Sequence, residues 1–224
     1  MNLRLLILML LISLNLDSFS QADSLKLGDK YWEDQLYMSI SYDIMRSQPQ
    51  GAETSGFSYS LSVGYIKDIP FTKQGDFSAG IGLGYGYNSF NHDLQLTDES
   101  TIQLGSDIST NKLRLHNIEL PIQLRWRTSD AVTYSFWRVY AGVKLNYNLS
   151  NKFSYQLNSN NQTIEFSNVP IFNKFQSGLE LSAGYGAFNF YMYYGLSPVY
   201  KNATINGETV SSKITKFGLI FYLL

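Results

Sequence analysis

The sequence predicts an all-β chain, folded as an eight-stranded antiparallel up-and-down transmembrane β-barrel, and three observations carry the prediction. The first is alternation. Over residues 57–65, Phe57, Tyr59, Leu61, Val63 and Tyr65 share one face and Ser58, Ser60, Ser62 and Gly64 the other; over 77–87, Phe77, Ala79, Ile81, Leu83, Tyr85 and Tyr87 oppose Ser78, Gly80, Gly82, Gly84 and Gly86. A period of two marks strands. The second is polarity: the non-apolar face is too small and too uncharged to make a good water-facing wall, whereas a lipid-facing band around a filled polar interior fits it. The third is the even number of such segments, joined by connections that alternate long and short.

Composition agrees. The 224 residues contain no cysteine, which removes a disulfide framework and thiolate chemistry. A net charge of -1 points to no nucleic-acid partner. Aromatics stand at 15% and charged residues at 16%, as expected where a large surface meets lipid. Mean hydropathy is still only -0.14, because a membrane barrel hides half of each strand and never shows a continuous apolar run.

The chain divides into three parts. Arg4, the apolar run 5–16 and the small residues Ser18 and Ser20 read as a signal peptide over 1–20, with cleavage before Gln21. Its core is too short to span a bilayer, and no later apolar run is long enough either. Residues 21–34 form a polar periplasmic lead and 35–224 the barrel.

The first strand has Leu36, Met38, Ile40, Tyr42 and Ile44 outward. The two strands already described follow, joined by a segment broken at Pro70 and Gly75. After the long polar stretch 88–112, the fourth strand turns Ile118, Leu120, Ile122, Leu124 and Trp126 outward and Glu119, Pro121, Gln123, Arg125 and Arg127 inward. Leu113 and Leu115 have the opposite parity, which predicts a bulge near His116 and Asn117. Pro121 lacks a ladder donor and predicts a second irregularity.

The fifth strand has Trp137, Val139, Ala141, Val143, Leu145, Tyr147 and Leu149 outward, with Arg138, Tyr140, Gly142, Lys144 and Asn146 inward. Residues 150–175 form another long connection. The sixth strand carries Leu179, Leu181 and Ala183 outward, the seventh Phe188, Phe190, Met192, Tyr194 and Leu196, and the eighth begins at Lys213. The strand 77–87 rises about 36 Å and, tilted by ~40–45°, covers roughly 26 Å of the membrane normal. Long connections outside and short ones inside put both termini in the periplasm of a Gram-negative cell. Lys216, Gly218, Phe221 and Leu223 match the spacing of the insertion signal that the barrel-assembly machinery reads on last strands, with Leu224 where a terminal aromatic is commoner.

The run Ile118-Glu119-Leu120-Pro121-Ile122 with Leu124 and Arg125, then Trp137-Arg138-Val139-Tyr140-Ala141-Gly142-Val143-Lys144-Leu145 with Tyr147, resembles the PorT-type outer-membrane β-barrel proteins of Bacteroidetes. Gly178-Leu179-Glu180-Leu181, Gly184-Tyr185 and Gly218-Leu219 fit the same pattern. The resemblance implies an eight-stranded outer-membrane barrel and, through the protein that names the family, a link to type IX secretion. It carries over no catalytic residues.

A barrel this small leaves room for side chains, not for a channel. Glu119, Arg125, Arg138, Lys144 and Glu180 are therefore expected to form a buried polar network in the lumen. Phe153, Tyr155, Phe166 and Phe172, among Asn and Gln in 150–175, are candidate loop contacts. No catalytic, cofactor-binding or metal-binding residue is assigned and no cofactor is expected. His92 and His116 lack a neighbouring ligand at metal spacing, and a His116–Glu119 dyad for lipid hydrolysis has no shared outward face. The leading expectation is a non-enzymatic barrel that binds outer-membrane lipid and secretion-system or envelope proteins. A lipid-modifying enzyme and a small-solute porin are the alternatives.

Overall fold

The computed structural model describes residues 33–223 apart from 50, 53–55, 97–100, 106–107, 129–135, 202 and 206–207. The expected signal peptide and the lead up to residue 32 lie outside the described residues. The strands are β1 (Gln35–Arg46), β2 (Tyr59–Pro70), β3 (Phe77–Asn91), β4 (Leu94–Leu96), β5 (Ile102–Leu104), β6 (Ile108–Arg127), β7 (Trp137–Leu157), β8 (Thr163–Ser167), β9 (Phe175–Tyr185), β10 (Phe188–Gly195), β11 (Thr204–Ile205), β12 (Glu208–Thr209) and β13 (Lys213–Leu223).

Eight of them make the wall. The antiparallel order β6-β3-β2-β1-β13-β10-β9-β7 is closed into a ring by pairing of β6 with β7. Every wall strand is thus hydrogen-bonded on both sides, the condition for a sheet to stand in hydrocarbon. The outward positions are the apolar ones: Leu36, Leu83, Leu124, Trp137 and Phe190 are among the most exposed residues. The inward positions of β3 are Ser78, Gly80, Gly82, Gly84 and Gly86. A Cβ at Gly84 would collide with the Tyr37 hydroxyl and one at Gly86 with the Glu119 carboxylate, so the small wall makes room for large side chains reaching across the lumen.

Strands β3, β6 and β7 run past the apolar band at the end away from the termini. There β8 pairs with β7, while β4–β5 and β11–β12 form hairpins. Phe90, Leu94, Leu96, Ile102, Leu113, Leu115, Phe153, Tyr155, Val169, Ile171, Phe172, Val199 and Tyr200 bury one another between them. This distal cap is a second, apolar core stacked on a polar lumen.

The expected bulge lies where the sequence puts it, but on the other strand. Pairing shifts between His116↔Ser150 and Asn117↔Asn148, so Leu149 of β7 is the extra residue. On β6, alternate residues from Asn111 to Arg127 stay inward without a break. Leu113 and Leu115 therefore share the parity of Glu119, and it is the interior that turns apolar around them. Opposite Leu120 and Pro121, the β3–β6 ladder skips Gly82 and Leu83 but keeps its register, as the missing proline N–H requires.

Candidate functional site

Among the described residues the lumen holds two clusters of buried ion pairs. In the middle, Lys144 of β7 bridges Glu119 of β6 and Glu180 of β9, at 3.2 Å to each carboxylate. Its Nζ also donates to Tyr191 Oη at 2.9 Å. Ser62 Oγ donates to Glu119 at 3.0 Å, and Gln123 Nε2 to Glu180 at 2.7 Å. These groups come together because each stands at an inward position of a neighbouring wall strand, and alternation leaves their charges nowhere else to point. Each charge here is paired and hydrogen-bonded, which is what makes ions tolerable in a dry interior.

At the end that carries the termini, three arginines surround two acids. Arg125 reaches Asp68 at 2.8 Å; Arg127 reaches Asp68 at 2.7 Å and Glu33 at 3.0 Å; Arg138 reaches Glu33 at 2.8 Å. Gln35 accepts from Arg125, Ser78 Oγ donates to Asp68 at 2.7 Å, and the Arg125 guanidinium lies 4.3 Å from the Tyr140 ring centre. All five charged groups are buried. At the rim, Asp34 meets Lys67 at 2.6 Å. Partial burial acts to raise the Asp34 carboxyl, but hydrogen bonds from Lys67, Tyr65 and the Asp68 amide outweigh it and hold it below the usual range.

The single network expected from sequence is thus two. Glu119, Lys144 and Glu180 meet, while Arg125 and Arg138 belong to the lower cluster. Sequence reasoning missed Glu33 and Asp68. Glu33 sits at the end of the segment read as a loose lead, outside any alternating pattern, so its sequence carries no sign that it plugs the barrel mouth. Asp68 lies past the point where the alternation of the second strand breaks: in β2 Ile66 turns inward and Lys67 outward, so the polar-in, apolar-out pattern ends at Tyr65 although the strand continues to Pro70.

The loop contacts need correction. Phe153, Tyr155 and Phe172 are buried in the cap core, and Phe166 packs against it, because the connections here are continuations of the wall with an interior of their own. The His116–Glu119 dyad does not form either: Glu119 is in the lumen, and His116 points outward to Tyr85 Oη at 2.5 Å. In the final strand, Lys216 faces inward opposite Asp43, Gly218 backs onto Ser41, and Phe221 and Leu223 take outward parity. Among the described residues no group of three or more His, Asp or Glu side chains is placed to hold a metal ion.

Where cap and lumen meet lies a layer of amides. Asn117 Nδ2 donates to Asn88 Oδ1 at 3.0 Å, Asn148 Nδ2 to Asn117 Oδ1 at 2.9 Å, and Asn151 Nδ2 to Asn148 Oδ1 at 3.2 Å. The Val169 amide donates to Asn151 Oδ1 at 2.9 Å and ends the chain.

An apolar outer wall and a charge-filled lumen define an outer-membrane β-barrel. The chain belongs to the outer membrane protein beta-barrel domain family, whose sequence model matches residues 19–201. Among solved structures it is similar to Ail, the attachment invasion locus protein of Yersinia pestis, at 14% identity and a TM-score of 0.32, covering 85% of this chain and 98% of that one. A triple-mutant porin of Rhodopseudomonas blastica is similar at 10% identity and a TM-score of 0.22, covering 86% and 100%. No curated protein matches the sequence.

Proposed function

We propose that this is a sealed, non-enzymatic barrel that serves as a platform in the outer membrane, with both termini in the periplasm. The observation that carries the reading is the filled lumen: buried Arg125, Arg127, Arg138, Lys144, Glu119 and Glu180 occupy its cross-section beneath an apolar cap. Such an interior favours binding or structural work over solute passage. The outward position of His116, away from Glu119, weighs against the lipid-hydrolase alternative.

In this reading residues 1–20 direct export, the barrel-assembly machinery inserts the chain through its Lys216, Gly218, Phe221 and Leu223 pattern, and the neighbours are outer-membrane lipid and envelope proteins. The resemblance to PorT-type barrels of Bacteroidetes supports an accessory role in type IX-like secretion. In planar bilayers the purified protein should give no single-channel steps, and reproducible steps would replace the platform with a porin. Orientation has its own test: Asn160→Cys, at the exposed tip between β7 and β8, should react with a membrane-impermeant maleimide on intact cells. Labelling only after the outer membrane is broken would reverse the topology.

A further inference from the structure

Just beyond the apolar band, one side of the wall changes from aromatic to basic. Tyr85, Tyr87 and His116 close the band on β3 and β6: Tyr87 pairs with His116, their rings 5.2 Å apart, and the Tyr59 ring lies beyond Tyr87 at 6.2 Å, tilted against it. Amphipathic rings at that level mark a membrane–water interface. The next outward residue of β6 is Arg114 and the one after it Lys112, about 5 and about 10 Å further along the normal for a tilted strand. On β7 the outward neighbour is Lys152, directly opposite Arg114 in the ladder.

Like charges directly opposite one another are destabilising. Lys152 is partly offset by Glu165 of β8 at 2.8 Å. Arg114 and Lys112 have no side-chain hydrogen bond or ion pair among the described residues. The facing strands add no charge at this height: the β3 residues paired with Arg114 and Lys112 are Ser89 and Asn91, and Ser154 follows Lys152 on β7. Three cations and one carboxylate thus stand together on the outer face just beyond the lipid-facing band, Lys112 exposed and Arg114 and Lys152 half-buried.

We propose that Lys112, Arg114 and Lys152 form a binding site for the phosphate of an outer-leaflet lipid headgroup. The lipid's acyl chains would lie against the apolar band below, its phosphate would separate Arg114 from Lys152, and Tyr85, Tyr87 and His116 would pack at the junction. The occupant follows from position: an anion tethered at this height is attached to the bilayer that the rings beneath it mark. The assignment to the outer leaflet rests on the orientation proposed above.

The test uses full-length protein in phosphatidylcholine nanodiscs and labelled diphosphoryl lipid A, with its dephosphorylated form as the control lipid. Nanodiscs have no inner or outer side, so this result is separate from the cell-labelling result on orientation. Wild type should prefer the phosphorylated lipid by at least about tenfold, with about fivefold lost per cation removed. The triple variant Lys112→Gln, Arg114→Gln, Lys152→Gln, which changes only exposed or half-buried side chains, should bind both lipids alike while remaining resistant to SDS. Arg114→Glu alone should also lower the preference. Equal binding of the two lipids by wild type, or an undiminished preference in the triple variant, would overturn the site. Inorganic phosphate in solution should not displace the lipid; if it does so at matched phosphate concentration, the three cations take free anions and the lipid assignment is wrong.

Discussion

The wall of this barrel is two structures of opposite polarity built from the same strands. Below the asparagine layer, Ile118, Ile122 and Leu124 of β6 face out and Glu119, Gln123 and Arg125 face in; above it, Lys112 and Arg114 face out and Leu113 and Leu115 face in. Strand β7 makes the same inversion, with Val143 and Leu145 outside but Phe153 and Tyr155 inside. The pleat dictates only that neighbours point opposite ways; which set is apolar depends on what each face meets. Lipid outside calls for a polar filling that can pair with itself, and water outside calls for an apolar one.

The two strands reach that inversion by different routes. Strand β6 keeps its geometry and changes its pattern, moving the apolar residues from even to odd positions between Ile118 and Leu115. Strand β7 keeps its pattern, with apolar residues at the odd positions from Val139 through Tyr155 apart from Asn151 of the amide layer, and changes its geometry by the extra residue at Leu149. One added residue in a strand exchanges its two faces.

The largest test of the contrast is in the lumen. Lys144→Met leaves Glu119 and Glu180 buried without their shared cation, and such a loss costs roughly 3–5 kcal/mol. The temperature at which SDS unfolds the unboiled protein should fall clearly, and adding Glu119→Gln and Glu180→Gln should recover part of it. Arg138→Ala combined with Glu119→Gln should be additive, since Arg138 pairs with Glu33 instead. A Lys144→Met protein with an unchanged melting temperature would mean that water reaches these charges and that the lower interior is not dry.

The cap responds to acid instead. His92 is buried, its ring centre 5.2 Å from that of Phe153, and its Nδ1 accepts from the Leu94 amide at 3.1 Å. Burial outweighs the Asp93 carboxylate nearby and pushes the imidazole down from 6.5 to about 4. The unfolded cap takes up a proton below the ordinary value and the folded cap does not until about 4. Stability is therefore fully present above pH 6.5, is lost as the pH falls from there towards 4, and loses nothing further below. The full loss is about 3 kcal/mol. Hydrogen exchange at 94–96 and 153–155, corrected for intrinsic rate, should speed up in that window, whereas exchange in 36–44 should not. His92→Phe should abolish the difference; if wild type shows none, the cap core is wet around His92.

Alternation and charge made the lower half legible: the eight wall strands and their outward faces read directly from pairs such as Ser62–Val63 and Lys144–Leu145. The cap was not legible, for two physical reasons. Its inward residues on β7, Phe153 and Tyr155, continue an outward pattern across the Leu149 bulge, so nothing in the sequence announces that they turn in. Its β6 residues, Leu113 and Leu115, do change pattern, but a change of solvent and a change of register look the same in one strand. Only the pairing with β7 separates them. Of the two charge clusters, Glu119, Lys144 and Glu180 were readable because all three sit in strong patterns, and Glu33 was not because it precedes its strand.

The smallest effect is expected at the boundary itself. Asn117 donates to Asn88 and accepts from Asn148, so Asn117→Ala leaves an acceptor and a donor without their partner in a buried layer. The cost should be about 1–2 kcal/mol, less than for a charge because each amide keeps or finds another neighbour. Asn148 also lies 3.1 Å from the Ser150 carbonyl. If the amides only fill space, Asn117→Leu should restore the loss by extending the apolar core one step downward. If they separate two incompatible interiors, Asn117→Leu should be no better than Asn117→Ala, since it supplies bulk and no hydrogen bond. A cycle with Asn88→Ala decides between these readings, with coupling of about 0.5–1 kcal/mol expected for a shared hydrogen bond. Zero coupling, together with a stabilised Asn117→Leu protein, would show that lumen and cap tolerate direct contact and that the amide layer is filling.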